Sequence, residues 1–121
     1  MRLTEIDFGT AQPIEGYGAD FFRIGGVAHP APVVIVPGQV VAWGGFEDTA
    51  TLLPLAGQLD VLFVGTGAEI AHLPKGFRET LEEAGIAAEP MASPAACRTY
   101  NILLSEGRRV GVALLAVGTA D

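Results

Sequence analysis

The 121-residue sequence contains a single cysteine, Cys97, two histidines, His29 and His72, and seven lysine and arginine residues in all. A lone cysteine excludes an internal disulfide and a multi-cysteine zinc site, and it points to a reducing compartment. The bases form no run longer than Arg108-Arg109 and are outnumbered by fourteen acids, giving a formal net charge of -7. Binding to a phosphate backbone needs a basic stripe, so nucleic acid is excluded as a partner class. Long hydrophobic runs are also missing. The longest, Val110 to Val117, is far short of the roughly 20 residues that a membrane-spanning helix requires, so no transmembrane segment is expected. Met1-Arg2-Leu3-Thr4-Glu5-Ile6-Asp7 has acids where a secretory signal is apolar, and it lacks the Arg-rich, acid-poor pattern of an organellar presequence. A cytoplasmic placement is the resulting expectation.

What the chain does have is apolar character. Half of its residues are hydrophobic and its mean hydropathy is +0.40. Its length suits one core, so residues 1-121 are expected to form a single domain. So apolar a composition implies either very complete burial or a surface that a partner covers.

Its organising stretch is Leu59-Asp60-Val61-Leu62-Phe63-Val64-Gly65-Thr66-Gly67. An apolar run rich in β-branched and aromatic residues, closed by glycine, reads as a strand buried on both faces. In an open α/β sheet, ligands gather at the carboxyl ends of such strands. Upstream, Phe21 to Val27 reads as a strand ending in a turn, Val33-Val34-Ile35-Val36 as a second strand between prolines, and Val40 to Trp43 as a third. Glycines around Tyr17 suggest a tight turn with its ring packed inward. His29, before Pro30 in a turn, has no ligand partner at metal spacing and receives no site role. Glu47-Asp48-Thr49 is placed to cap a short helix through Thr51-Leu52-Leu53, limited by Pro54.

Beyond the central strand, Phe77, Leu81 and Ala84 recur at i, i+4 and i+7, and Gly85 supplies a C′ stop, which predicts an amphipathic helix. Ile86 to Met91 is a short strand. Strand, helix and strand form a βαβ unit with a parallel pair. Ser93-Pro94 reads as an N-cap and N1 proline opening a helix to about Ser105, ended by Gly107, and Arg109 to Val117 as a last, central strand. The fold class is therefore α/β, a layered domain with a central mixed sheet and flanking helices.

Chemistry-bearing residues are few. Cys97 projects onto the apolar face of its helix with Tyr100 and Leu104, as a structural thiol does, and no histidine is tied to it. The richest polar cluster is Arg98, Thr99, Tyr100 and Asn101. A helix opened near Pro94 could bring Arg98, Thr99 and Asn101 towards Gly65, Thr66 and Gly67 and so offer donors to an anion or a carbonyl ligand. Alternatively, the same side chains tie down loops. Gly65-Thr66-Gly67 is neither a GxGxxG fingerprint nor a P-loop. No catalytic triad, carboxylate pair or metal-ligand cluster is visible, and no cofactor is implied.

Ile14-Glu15-Gly16-Tyr17-Gly18, Trp43, the Asp60 to Gly67 run, and above all Ala95-Ala96-Cys97-Arg98-Thr99-Tyr100-Asn101 with Glu106-Gly107-Arg108-Arg109-Val110 resemble a small family of long-uncharacterised domains. Its eukaryotic members include the mitochondrial respiratory complex I assembly factor 3 and an adipogenesis-associated protein. The resemblance covers nearly the whole chain. It implies a layered α/β fold, a compact bacterial version of the domain and no established catalytic activity. Two functions of different class follow: a non-enzymatic interaction or assembly factor with a protein partner, or a small-molecule or anion-binding protein or enzyme with a pocket at the Gly-Thr-Gly loop. Self-association into a homo-oligomer is compatible with either.

Overall fold

The structure, a computed structural model, describes Leu3, Ile6 and residues 12–118. Five strands form a mixed sheet in the order β5-β4-β8-β6-β7, with β4 at Val33–Val36, β5 at Gln39–Ala42, β6 at Val61–Gly65, β7 at Ala88–Met91 and β8 at Val110–Leu114. β6 lies parallel to both β7 and β8, whereas β4 runs antiparallel to β8 and β5. A second, three-stranded antiparallel sheet is made by β1 (Gly16–Tyr17), β2 (Phe21–Ile24) and β3 (Val27–Pro30). The helices are α1 (Lys75–Glu83) and α2 (Ser93–Ser105). The α/β class with a central mixed sheet and flanking helices is thus observed.

The run of β-branched residues in β4 is explained by burial on both faces. Val34 and Val36 join Leu62, Val64, Trp43, Phe77 and Leu81 in one core, on the side of α1. Val33 and Ile35 join Phe63, Val110, Val112 and Leu114 in the other, under Ala96, Cys97 and Tyr100 of α2 and Phe22 and Ile24 of the small sheet. Strand alternation sends successive side chains to opposite layers, so no polar face is left in the pattern. Gly85, at φ +81°, and Gly107, at φ +75°, end the two helices in the left-handed conformation expected of them.

The strand from Phe21 ends in a turn as expected: Gly25 and Gly26, at φ +57° and +78°, make the two-residue turn of a hairpin, because a type I′ turn needs positive φ at both central residues. Three local expectations are corrected. His29 lies in β3, opposite Phe22, and not in a turn. Tyr17 does not pack inward; it is 45% exposed on an edge strand, its ring 6.2 Å from that of Phe22. Residues 47–53 form no α-helix. Two 3-10 turns, Gly45–Glu47 and Leu53–Leu55, flank an Asp48 side chain that accepts the Gly44 amide at 2.9 Å, the Thr51 amide at 3.1 Å and the Thr51 hydroxyl at 2.7 Å.

The outer edge at β7 is guarded. The carbonyls of Ala87 and Met91 accept the amides of Leu62 in β6 and of Thr66 just after it, so by alternation Pro90 turns its missing N–H outward, where a further strand would need a donor.

Candidate functional site

The parallel strands β6, β7 and β8 bring their carboxyl ends together at Gly65-Thr66-Gly67. Ser93 holds them there. Its hydroxyl accepts the Gly67 amide at 2.9 Å and donates to the Leu115 carbonyl at 2.8 Å, while its own amide donates to the Gly67 carbonyl at 2.7 Å. Ser93 is fully buried and is the first residue of α2, with Ala92 in the cap position; the N-cap expected of it is not formed, because its oxygen serves the neighbouring strands instead of the helix. A Cβ on Gly65 would lie 2.6 Å from Ser93 Oγ and 2.9 Å from Ser93 Cα, so glycine is required where the helix start meets the strand.

Thr66 is equally occupied. Its amide donates to the Met91 carbonyl at 2.8 Å, its hydroxyl oxygen lies 2.7 Å from the Glu69 carbonyl and 3.2 Å from that of Met91, and the same oxygen accepts the Ala71 amide at 3.0 Å. The loop is wired to its own chain. Asn101 lies eight residues along α2 from Ser93, about 12 Å at the helical rise. Its carboxamide embraces Ile14, accepting the Ile14 amide at 2.8 Å and donating to the Ile14 carbonyl at 2.9 Å. Gly65 and Gly67 are therefore packed on or bonded to Ser93 and Thr66 is bonded to Met91, Glu69 and Ala71, whereas Asn101 belongs to a junction with the segment before β1.

Arg98 is exposed and makes no hydrogen bond or ion pair among the described residues. Thr99 is half-buried beside it. Cys97, 5% exposed, has its thiol pushed up to about 12 by burial, an effect the Arg98 charge only partly opposes. Such a thiol is a packing group, as its place on the helix implied. Burial likewise raises the Tyr100 phenol well above its ordinary value. Among the described residues, no group of three or more His, Cys, Asp or Glu side chains is placed to hold a metal ion. Open volume lies elsewhere: a cleft of about 440 Å³ between the β2–β3 and β4–β5 hairpins, and a smaller hollow beside Ile70, His72 and Pro90.

Ser93 and Asp48 are the polar hubs that the sequence did not reveal as such. The only signal for Ser93 is its position directly after a strand, which fits a clamp as well as a cap.

Residues 14–115 match the family described as "protein of unknown function (DUF498/DUF598)". The chain belongs to that family. A similar member is an uncharacterized protein of Rhodobacter capsulatus, 54% identical over 115 residues, spanning 95% of this chain and 93% of that one. The mouse and human NADH dehydrogenase [ubiquinone] 1 alpha subcomplex assembly factor 3 are 32% and 31% identical, over 95% of this chain and 66% of theirs. The chain thus spans just under two thirds of those assembly factors. Among solved structures, an outer membrane protein from Bartonella henselae matches with TM-score 0.78 and 34% identity, over 91% of this chain and 98% of that one. A Bordetella pertussis protein described as a Mth938-like domain matches with TM-score 0.71 and 31% identity, over 99% and 95%. The resemblance drawn from the Cys-Arg-Thr-Tyr-Asn block and the central strand is confirmed, and the family itself is of unknown function.

Proposed function

We propose that this chain is a non-enzymatic interaction or assembly factor similar to complex I assembly factor 3. The observation that carries this reading is the 31–32% identity to those assembly factors across 95% of the chain. Two features support it. The Gly-Thr-Gly loop spends its polar groups on Ser93, Met91 and Glu69, leaving little there for a ligand. On the outer side of α2, Arg98 and Ile102 are spaced i, i+4, and Ile102 is 58% exposed. A cation with no partner among the described residues, beside an exposed aliphatic, suits a protein surface that offers a carboxylate next to an apolar residue. In this reading Arg98 is a contact for a partner's carboxylate, with Thr99 at its edge, whereas Gly65, Thr66, Gly67 and Asn101 hold the scaffold that presents it. No helix among the described residues is long and apolar enough to cross a membrane, so engagement with a membrane complex would run through its exposed subunits. A cytoplasmic placement belongs to the same proposal.

The test is affinity purification of tagged parent, Arg98→Glu and Ile102→Asp from the native cell, with mass spectrometry of what co-purifies. The proposal expects complex I subunits or assembly intermediates with the parent, lost in both variants at unchanged melting temperature. Recovery of no such subunits, or equal recovery by both variants, would overturn it.

A further inference from the structure

The cleft between the two hairpins is independent of the α2 surface and of the assembly reading. Ile24 and His29 contribute one wall from β2 and β3; Ile35 and Val40 contribute the other from β4 and β5; Gln12 and Gln39 add two carboxamides. At about 440 Å³ it falls in the range of small-molecule pockets, which run from about 300 to 1,000 Å³, and its lining mixes aliphatic walls with polar groups in nearly equal share.

His29 is the informative residue. Its pairing with Phe22 turns it to the same side of the small sheet as that fully buried ring, so the imidazole is half-buried over the cleft. Among the described residues it makes no hydrogen bond or ion pair. A half-buried imidazole has given up part of its water and found no protein partner in return, and a ligand group placed in the cleft would restore what was lost. The described lining contains no carboxylate, lysine or arginine, and a chain of formal charge -7 disfavours anions in its vicinity. Imidazole and carboxamide can each donate and accept, which suits an uncharged head carrying both functions.

We infer that this cleft is a binding site for a small uncharged amphiphile, its apolar body between Ile24, Ile35 and Val40 and its hydrogen-bonding head on His29.

The full chain, with labelled isoleucine and valine methyls, is titrated at pH 8 with benzamide, benzoate and benzylammonium, three probes that share a ring and differ in head charge. Benzamide is expected to give saturable shifts at Ile24, Ile35 and Val40, with benzoate and benzylammonium much weaker. His29→Leu should weaken benzamide about tenfold, the size of one hydrogen bond, while the other methyl signals keep their positions. Val40→Phe fills the cleft from the opposite wall and should abolish the shifts, which keeps the test decisive if His29→Leu does not fold. The inference is overturned by the absence of saturable shifts with benzamide, by equal binding of benzoate, by undiminished affinity in His29→Leu, or by shifts that persist in Val40→Phe.

Discussion

Asn101 and Ile14 are 87 residues apart and joined by two hydrogen bonds, through which a side-chain amide serves the backbone of Ile14 as a neighbouring strand would. Ile14 is itself buried, so the pair anchors the entry to β1 against α2. A residue from the polar cluster that looked suited to ligand contact is therefore engaged with the chain's own backbone.

Asn101→Ala should cost about 1–3 kcal/mol, because it strands both polar groups of Ile14. Asn101→Asp keeps the acceptor and loses the donor, so its cost should be intermediate. Urea unfolding measures the loss, and amide exchange at Ile14 should accelerate without a matching change in β6. Equal exchange in parent and variant would show that the anchor lies elsewhere.

Gly65→Ala should destabilise by about 1–3 kcal/mol through overpacking at the start of α2. Ser93→Ala should also be costly, since it leaves the buried Gly67 amide unpaired. The double variant is expected to recover little: a Cβ at 65 also presses on Ser93 Cα, which truncation of the serine does not move. Thermal melts of the two single variants and the double variant check this, and near-parental stability of the double variant would disprove the close backbone approach.

Tyr100→Phe should leave stability unchanged or raise it by about 1 kcal/mol. The phenol is fully buried with no hydrogen-bond partner among the described residues, so deleting its oxygen removes a desolvation cost and keeps the ring. Denaturant midpoints decide the matter. A clear loss in Tyr100→Phe would reveal an unseen partner for the oxygen.

Asp48 provides the acid-side prediction. The Thr51 hydroxyl, with the amides of Gly44 and Thr51, holds its carboxyl below the ordinary aspartate value, outweighing the opposing effect of partial burial. A folded-state value depressed below the unfolded one stabilises above the unfolded value of about 3.9 and is lost as pH falls through the folded one. Asp48→Asn should therefore be less stable than the parent at pH 7, and the gap should narrow as pH falls below about 4. A gap independent of pH would assign the effect to packing.

The outlines of β4, β6 and β8 were legible because an uninterrupted run of branched apolar residues has one comfortable place, between two covered faces. Gly85 and Gly107 marked helix ends for a similarly local reason, their freedom to take positive φ. The turn at Gly25-Gly26 is written in the same code and was legible as the end of the strand from Phe21. Composition, charge and these short-range patterns determined the α/β class, the net negative charge and the burial of Cys97. Tertiary structure decided what the polar residues do. Ser93 meets Gly67 and Leu115, Asn101 meets Ile14, and His29 faces a cleft only because β-strand pairing and helix packing bring distant segments to hydrogen-bonding range. A polar side chain has several energetically similar partners, and only the assembled fold selects among them.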